Sequence, residues 1–284
     1  MTARLPLWRP LKGKNTNRQN QPFSLLILNQ SKKVSLLAAD TTRYPDESKY
    51  IEQFRQRLEQ VEASIRQAAL AAGRDPASLT LIGVSKQFPA FAALAACRVG
   101  IRDLGENRVQ DLLAKKEELA AAGEEPHWHM IGTLQRNKVK QLVGRVHLIH
   151  SVDSLALMEE ISRRSQAGGL VSDILLQVNS SGEASKHGFD PDALPAAVEQ
   201  ARSWQGIRLC GLMTMAQLAE NPDETLPVFT RTQALFERLA EQQGHPAAWS
   251  VLSMGMSQDY LQAIRCGATH LRIGSALFGP RPQA

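Results

Sequence analysis

The chain has 284 residues, of which 43% are hydrophobic and 21% are charged, as is usual for a globular protein with a large core. The formal charge of +5 comes from residues 1–46, which hold eight Lys or Arg against two Asp or Glu and leave 25 basic and 26 acidic residues elsewhere. The rest of the chain is therefore almost neutral, which argues against nucleic acid as a partner.

The first 46 residues are rich in Asn, Gln, Arg and Lys and show no sustained hydrophobic period. This composition predicts a disordered basic extension. No methionine lies between Met1 and Met130, so a wrongly assigned start site is one alternative. A transit-like peptide is also open, because no acidic residue precedes Asp40, although no amphipathic helix accompanies the basic residues.

From residue 47 the hydrophobic pattern predicts one helix, Glu47 to Ala72, and then a regular alternation of strands and helices. The eight β-like runs are Leu79 to Ser85, Ile101 to Leu104, His127 to Ile131, Val146 to His150, Asp173 to Val178, Ile207 to Met213, Trp249 to Ser253 and His270 to Ile273. The helical runs between them are Ala90 to Arg98, Arg108 to Ala122, Gln135 to Val143, Ser154 to Ala167, Pro191 to Ser203, Thr225 to Gln243 and Gln258 to Cys266. A closing turn is expected after the last strand.

Strict alternation requires parallel strands joined by crossover helices, and eight such units within about 200 residues predict a closed (β/α)8 barrel of the TIM type. A doubly wound open sheet is the alternative, but it normally carries fewer strands for this length. We therefore expect residues 47–284 to form one α/β barrel domain with an extra N-terminal helix. Functional groups in such barrels lie at the carboxyl ends of the strands.

The cysteines and the apolar segments favour a cytoplasmic protein without a membrane partner. Cys97, Cys210 and Cys266 stand far apart, without the spacing of a disulfide framework or a zinc site, so we expect reduced and mostly buried thiols. The longest apolar run near the start, Phe23 to Leu28, is too short for a membrane span.

Lys86 follows the first β-like run and precedes Pro89, so its side chain is predicted at the mouth of the barrel. An amine there is either a solvated residue at the end of a strand or a nucleophile that condenses with an aldehyde. Partial burial lowers the pKa of a lysine and would favour the second interpretation.

Further polar residues follow the second, third and fifth predicted strands. Asn107 lies in G-E-N-R after the second strand, where helix capping is the alternative to a ligand contact. His127 and His129 share a face of the third strand, but a metal pair is discounted because no carboxylate or third histidine is placed nearby in the sequence. Residues 179–189 form either a cover for a ligand or an ordinary flexible connection.

The clearest candidate for an anion site lies near the end of the sequence. S-M-G-M-S at 253–257 follows the seventh strand and R-I-G-S-A at 272–276 includes the end of the eighth, so small residues expose backbone N–H groups at both places. Barrels commonly bind phosphate with these two loops and a helix N-terminus. A ligand with an aldehyde for Lys86 and a phosphate for these loops is pyridoxal 5'-phosphate (PLP) or a sugar phosphate, and the pattern alone does not separate the two.

Eight motifs in order carry a resemblance to a known family. They are V-S-K at 84–86, G-E-N-R-V-Q at 105–110, W-H-M-I-G at 128–132, L-Q-R-N-K at 134–138, S-K-H-G-F at 185–189, G-L-M at 211–213, S-M-G-M-S at 253–257 and R-I-G-S-A-L-F-G at 272–279. From about Ser48 to Arg281 the chain resembles the YggS/PROSC family of PLP homeostasis proteins. Its barrel is expected to be similar to the N-terminal domain of alanine racemase, a fold-type III PLP barrel.

The resemblance implies roles for individual residues. Lys86 matches the lysine that holds PLP as a Schiff base, Arg272 matches the arginine that faces the pyridine nitrogen, and Lys186 corresponds to a second lysine that assists handling of the cofactor. Asn107 lies near the cofactor in this pattern. Arg108 departs from the tyrosine that many members carry at this position. The phosphate contacts fall on Ser253, Gly274 and Ser275, with Met254 and Ser257 as further candidates.

An arginine beside the pyridine nitrogen disfavours its protonation, so the ring is a weak electron sink. Similar racemases add a tyrosine from a separate C-terminal β domain, and this sequence stops after its eighth unit. We therefore expect a non-catalytic protein that stores, buffers or delivers PLP, a monomer or weak dimer with apo PLP-dependent enzymes as partners. The alternatives are a small PLP-dependent amino-acid racemase, a Schiff-base aldolase, and a regulatory module that binds RNA or protein through the basic extension.

Overall fold

A computed structural model describes residues 47–180 and 187–280. In these residues eight parallel strands form a closed barrel in which each strand pairs with its neighbours in the sequence and the last strand pairs with the first. This confirms the predicted (β/α)8 barrel. The strands are β1 (Thr80–Val84), β2 (Asp103–Glu106), β3 (His127–Met130), β4 (Leu148–Val152), β5 (Ser172–Gln177), β6 (Ile207–Met213), β7 (Val251–Ser253) and β8 (His270–Ile273).

One helix precedes the barrel, and one α-helix follows each strand. Among the described residues they are α1 (Glu47–Ala71), α2 (Ala90–Arg98), α3 (Val109–Ala121), α4 (Val139–Leu142), α5 (Leu155–Ala167), α6 (Leu194–Ala201), α7 (Leu226–Gln242), α8 (Tyr260–Arg265) and α9 (Ser275–Phe278). Short 3-10 helices lie at Pro76–Ser78, Arg136–Lys138 and Pro222–Thr225.

Helix α1 covers the outside of the barrel beside α8 and α9. Its apolar positions recur every three or four residues and are buried, as the sequence predicts for an amphipathic helix. The Phe54 ring packs edge-on against Phe278 of α9 with 5.1 Å between ring centroids. The Arg57 guanidinium donates a 2.6 Å hydrogen bond to the backbone oxygen of Leu277, so α1 also fixes the segment that follows β8.

Two elements differ from the sequence prediction. The helix expected over Gln135 to Val143 is a 3-10 turn followed by the single turn α4, because only Val139 and Leu142 are fully buried and Gly144, at φ +75°, ends the helix. The turn expected after β8 is the short helix α9, which buries Leu277 and Phe278.

The apolar core has two parts. Most buried side chains lie between the strands and the surrounding helices. A smaller group of strand residues alternates with these outward-facing positions and therefore lines the inside of the barrel, namely Leu148, Leu175, Cys210 and Met213. The barrel interior also contains the buried polar side chains of His129, His150, Ser253 and Arg272, which lie beneath the mouth.

The three cysteines are unpaired and buried, as predicted. Burial raises the pKa of Cys97 to about 12 and that of Cys210 to about 11, so neither thiol is a nucleophile at neutral pH. In the part of the chain that the structure describes, no helix is long and apolar enough to span a bilayer.

Candidate cofactor site

Lys86 and the loop after β8 lie at the same end of the barrel. Strands β1 and β8 pair Gly83 with Ile273, so the next residues, Val84 and Gly274, are level with each other at the carboxyl ends of the two strands. A Cβ atom placed on Gly274 would lie 3.5 Å from the backbone oxygen of Val84. The partly buried Lys86 is only two residues further along the chain.

The side chains of β1 alternate between the two faces of the strand up to Ser85, and Lys86 lies in the turn that follows. A Cβ atom on Gly83 would lie 3.3 Å from Ile101 and Leu104, among the outward-facing core residues. Ile82 and Val84 therefore face the barrel interior. Ser85 faces outward again, since its hydroxyl donates a 2.7 Å hydrogen bond to Glu106. Lys86 follows in the turn that leaves the carboxyl end of β1, in which the Phe88 N–H donates a 3.0 Å hydrogen bond to the Ser85 backbone oxygen.

Ser257 joins the loop after β7 to the start of α9. Its hydroxyl oxygen accepts hydrogen bonds from the backbone N–H groups of Gly274 (3.1 Å) and Ala276 (3.3 Å). The loop is held in this shape by Asp259, whose carboxylate accepts a 2.6 Å hydrogen bond from the backbone N–H of Met256. The loops after β7 and β8 therefore meet at the Ser257 hydroxyl, which lies in the region where the sequence predicts an anion site.

Two of the predicted phosphate residues have their side chains elsewhere. Ser253 is fully buried in the barrel interior, where its hydroxyl bonds with Arg272 and His150. The Met254 side chain is fully buried in the outer apolar core. The structure thus brings Lys86, Ser257, Gly274 and Ser275 to one end of the barrel and sets the side chains of Ser253 and Met254 apart from that group.

Asn107 follows β2 at the same end of the barrel and is clamped by the next loop. A Cβ atom on Gly132, after β3, would lie 2.6 Å from the Asn107 Cα atom and 2.3 Å from its backbone oxygen. Only glycine permits this approach, which accounts for the glycine of the W-H-M-I-G motif. The position of the Asn107 backbone is therefore fixed by two loops of the mouth.

Lys186 lies outside the described residues, but both ends of its loop are at the mouth. Val178 forms a bridge with Phe189, and the Gln177 amide donates a 2.9 Å hydrogen bond to the backbone oxygen of His187. A cavity of about 290 Å³ opens beside them, lined by Thr133, Gln177, Val178, Asn179, His187, Met215, Ala216 and Met256. It is lined by the loops after β3, β5, β6 and β7, and Met256 of the last of these loops is next to Ser257 in the sequence.

A second cavity of about 690 Å³ lies between the loop after β5 and helix α7, with Arg231 and Arg238 among its lining residues. Of the described residues that line it, none is a predicted cofactor contact. We therefore place the candidate site at the barrel mouth, where the chemically suited groups converge, and not in the larger cavity.

Arg272 is the buried cation of the barrel interior. One guanidinium nitrogen donates a 2.6 Å hydrogen bond to the Ser253 hydroxyl, and the other donates a 2.9 Å hydrogen bond to the backbone oxygen of Thr214. Burial lowers the pKa of Arg272 to about 10 against the opposing attraction of Asp259, so the guanidinium remains charged at neutral pH. Arg272 lies on β8 two residues before Gly274, beneath the anion loops.

The histidines of β3 have a carboxylate neighbour that the sequence order concealed. Asp103 of β2 lies opposite His127 in the parallel pairing, and its Oδ1 atom is 3.2 Å from His127 Nδ1 and 3.0 Å from His129 Nε2. The sequence places no carboxylate close to these histidines along the chain, but the pairing of β2 with β3 brings Asp103 to them in space. Even so, the described residues contain no group of three His, Cys, Asp or Glu side chains suited to hold a metal ion.

Comparison with known proteins settles the family. Residues 57–282 match the family described as "Alanine racemase, N-terminal domain". The pyridoxal phosphate homeostasis protein of Aquifex aeolicus is 40% identical over 226 residues, which cover 80% of this chain and 97% of the relative. That of Pseudomonas aeruginosa is 42% identical over 224 residues, which cover 79% of this chain and 94% of the relative. The chain belongs to the pyridoxal phosphate homeostasis protein family. The resemblance predicted from the eight motifs is confirmed.

The barrel of this pyridoxal phosphate homeostasis protein family member also matches solved structures. PipY of Synechococcus elongatus PCC7942, in a structure with PLP bound, is 35% identical and superposes with a TM-score of 0.70, covering 80% of this chain and 100% of that chain. The match at this level of identity extends the family assignment from the sequence to the fold.

Sequence reasoning missed a buried ion pair in this family member. The Lys115 ammonium of α3 bonds with the Glu106 carboxylate at the end of β2 and donates a 2.8 Å hydrogen bond to the backbone oxygen of Ser85. Both side chains of the pair are buried. Lys115 occupies an inward position of an otherwise ordinary amphipathic helix, which is the only sequence signal for it. The pair fixes the residue that directly precedes Lys86.

Proposed function

We propose that this protein binds pyridoxal 5'-phosphate and serves PLP homeostasis by storing, buffering or delivering the cofactor. The observation that carries the proposal is the placement of Lys86 at the end of β1 beside the Ser257, Gly274 and Ala276 cluster at the ends of β7 and β8. The relatives named pyridoxal phosphate homeostasis proteins and the PLP-bound PipY support the choice of PLP over a sugar phosphate.

The donor set of the mouth fits the two reactive ends of PLP. Lys86 supplies the amine for a Schiff base with the aldehyde. The hydroxyl hydrogens of Ser257 and Ser275 supply donors for the phosphate at the start of α9, where the Ser257 oxygen already accepts from two backbone N–H groups. Bound PLP supplies a reactive carbonyl and an electron-withdrawing ring. Roles for Asn107, Ser253, Met254 and Lys186 remain predictions from the family resemblance.

Arg272 supports a carrier role over a dedicated enzyme. Its guanidinium is held by two acceptors and stays charged at neutral pH, so it is a fixed cation inside the barrel. A permanent positive charge facing a pyridine nitrogen disfavours protonation of that nitrogen and weakens the ring as an electron sink. Carbanion chemistry is thereby disfavoured, and the protein is proposed to be non-catalytic.

The proposed setting is the cytoplasm, with apo PLP-dependent enzymes as recipients. The buried, unpaired cysteines are in keeping with a reducing compartment. The proposed oligomeric state is a monomer or weak dimer, as the sequence predicts.

Titration with PLP, followed by visible absorbance, tests binding, and chiral analysis of alanine and serine incubated with the loaded protein tests catalysis. We expect saturable binding of one PLP per chain, loss of that binding in Lys86→Ala, no effect of the exposed control Lys140→Ala, and no racemisation. Incubation with an apo PLP-dependent enzyme is expected to activate the enzyme.

Failure of the wild-type protein to bind PLP would overturn the proposal. Racemisation that scales with protein concentration and disappears in Lys86→Ala would instead establish the racemase alternative. These two results are distinguishable because the first would show that the protein has no PLP site, whereas the second requires one.

A further inference from the structure

A continuous chain of hydrogen bonds crosses the barrel interior from one end to Arg272. Asp103 Oδ1 lies 3.0 Å from His129 Nε2, and His129 Nδ1 lies 2.9 Å from His150 Nε2. His150 Nδ1 lies 2.9 Å from the Ser253 hydroxyl, which in turn accepts the 2.6 Å hydrogen bond from Arg272. The five groups come from β2, β3, β4, β7 and β8, so these hydrogen bonds connect five of the eight strands.

The two ends of the chain differ in their surroundings. Asp103 is the first residue of β2, at the end of the barrel opposite Lys86, and its side chain is 20% exposed. His129, His150 and Ser253 are fully buried, and Arg272 is 4% exposed. The N–H and O–H groups of the three central residues therefore cannot donate to solvent. They must donate to acceptors within this series of hydrogen bonds.

Both central histidines are neutral at physiological pH. Burial lowers the pKa of His129, although Asp103 raises it in part, and burial together with the neighbouring positive charges lowers the pKa of His150 well below its usual value. A neutral imidazole carries one N–H donor and one nitrogen acceptor. When one ring nitrogen of such a histidine donates a hydrogen bond, the other nitrogen can only accept one. The orientation of each hydrogen bond therefore determines the orientation of the next.

Asp103 determines that direction. Burial alone would raise the pKa of Asp103, but hydrogen bonds and charge interactions with His129 and His127 outweigh it and lower the pKa, so the carboxylate is ionised and only accepts. Two imidazoles converge on its Oδ1 atom. The proton of His129 must then be on Nε2, which leaves Nδ1 to accept from His150 Nε2–H. His150 Nδ1 in turn accepts from the Ser253 hydroxyl.

The opposite direction is unfavourable at both ends. It would place the lone pair of His129 Nε2 against the Asp103 carboxylate. It would also make the Ser253 oxygen accept from His150 and Arg272 together, while the buried hydroxyl hydrogen would need a further acceptor. In the favoured direction Ser253 donates to His150 and accepts from Arg272, and hydrogen bonds aligned in this way strengthen one another.

We propose that Asp103 is a positioning residue that acts through His129, His150 and Ser253 to fix the direction of this chain and to hold the Arg272 guanidinium in place. The chain is a property of the protein without a ligand. Its consequence for PLP, namely a firmly placed cation for the ring nitrogen, rests on the proposed function.

Long-range 1H–15N NMR of the full chain with 15N-labelled histidine, recorded without PLP, reads the tautomers directly. We expect His129 and His150 in the wild-type protein both to carry their proton on Nε2. In Asp103→Ala we expect His150, two hydrogen bonds away, to shift in part or wholly to the Nδ1–H tautomer. The matched control is Asp173→Ala, because Asp173 is a strand carboxylate of similar exposure (19%) whose partner is Arg208, outside the chain of hydrogen bonds.

The Ser253→Ala variant shows which end of the hydrogen-bond series determines the tautomers. If Asp103 sets the direction, this variant leaves both histidines in the Nε2–H tautomer; if Ser253 and Arg272 set it, the tautomers change. A wild-type His150 in the Nδ1–H form, an unchanged His150 in Asp103→Ala, or a tautomer shift in Ser253→Ala would each overturn the proposal. The wild-type spectrum and Ser253→Ala keep it falsifiable if Asp103→Ala fails to fold.

PLP-binding measurements test whether this series of hydrogen bonds affects the affinity for the cofactor. Asp103→Ala is expected to weaken PLP binding about fivefold, the equivalent of about one neutral hydrogen bond, while Asp173→Ala leaves it unchanged. Absence of PLP binding by the wild-type protein would end the proposed function without touching the tautomer result. Normal PLP binding with the wrong tautomers would end this inference alone.

Discussion

Ser257 is the residue at which the loops after β7 and β8 meet, because its hydroxyl accepts from two backbone N–H groups and can donate its own hydrogen to an anion. Ser257→Ala removes that donor. We expect it to weaken PLP binding about tenfold, in keeping with one hydrogen bond to a charged group, and to leave the binding of pyridoxal, which has no phosphate, unchanged.

The matched control is Ser250→Ala, since Ser250 is exposed just before β7 and lies outside the mouth. Titrations with both ligands measure the effect. An equal loss for PLP and pyridoxal would show that Ser257 shapes the loop and does not contact the phosphate.

For single residues, the sequence predicts those whose position follows from the local element in which they lie. Lys86, Gly274 and Ser257 are predictable because strand ends and glycine-rich loops determine where they lie. The partners of Asp103 and His150 are not, since they depend on which residues of adjacent or opposite strands are level with each other. For the same reason Ser253, in one motif with Ser257, has a quite different environment inside the barrel.

Between elements, the buried pair of Glu106 and Lys115 joins the end of β2 to α3 directly beneath Ser85 and Lys86. Lys115→Met leaves the Glu106 charge buried without its partner. We expect the free energy of unfolding to fall by about 3–5 kcal/mol in urea denaturation. Combining it with Glu106→Leu removes the uncompensated charge and is expected to restore most of the loss.

A surface pair gives the comparison for this prediction. Arg163→Met breaks the exposed Arg163 to Glu160 bridge on α5 and is expected to cost less than about 1 kcal/mol. Equal losses for Lys115→Met and Arg163→Met would contradict the buried ion pair.

Gly132 connects the loops after β2 and β3. Gly132→Ala brings a Cβ atom into the Asn107 backbone, so we expect a loss of about 1–3 kcal/mol in unfolding free energy together with a displaced Asn107. Gly168→Ala is the control, because a Cβ atom there meets its nearest neighbours at an ordinary 3.5 Å. A Gly132→Ala variant as stable as the wild type would show that the two loops move apart freely.

Hydrophobic periodicity predicts which helices and strands form, but it does not predict the length of every helix. The periods of three to four and of two residues identify α1 and all eight strands, whose order then dictates the barrel. The segment from Gln135 to Val143 has a helical pattern but too few buried positions to sustain more than one α-turn. Burial depends on the packed barrel, so the sequence period alone overestimates that helix.

For the whole molecule, the buried histidines make stability depend on pH. Burial lowers the pKa of His129 and His150, and lowers that of His270 to about 4. Below about pH 6.5 the unfolded chain therefore binds more protons than the folded barrel, so stability is lost as the pH falls toward 4. His270, whose pKa is about 4, contributes up to about 1.4 kcal/mol per pH unit in this window, and His129 and His150 act in the same direction. The lowered pKa of Asp103 also acts in this direction, at lower pH.

Urea unfolding at pH 7 and pH 5 measures this dependence. His270→Gln is expected to reduce the difference between the two pH values, whereas the exposed control His245→Asn leaves it unchanged; asparagine tolerates the left-handed backbone of residue 245. A free energy of unfolding that is equal at both pH values would contradict neutral buried histidines.

The chemistry of the whole molecule depends on one amine at the mouth of the barrel. Borohydride reduction of the PLP-loaded full chain, followed by peptide mass mapping, tests this most directly. The phosphopyridoxyl group is expected on the peptide that contains Lys86, at about one group per chain, and is expected to be absent in Lys86→Arg. A stoichiometric adduct on any other lysine, or none at all on a chain that retains PLP, would contradict a cofactor held by Lys86.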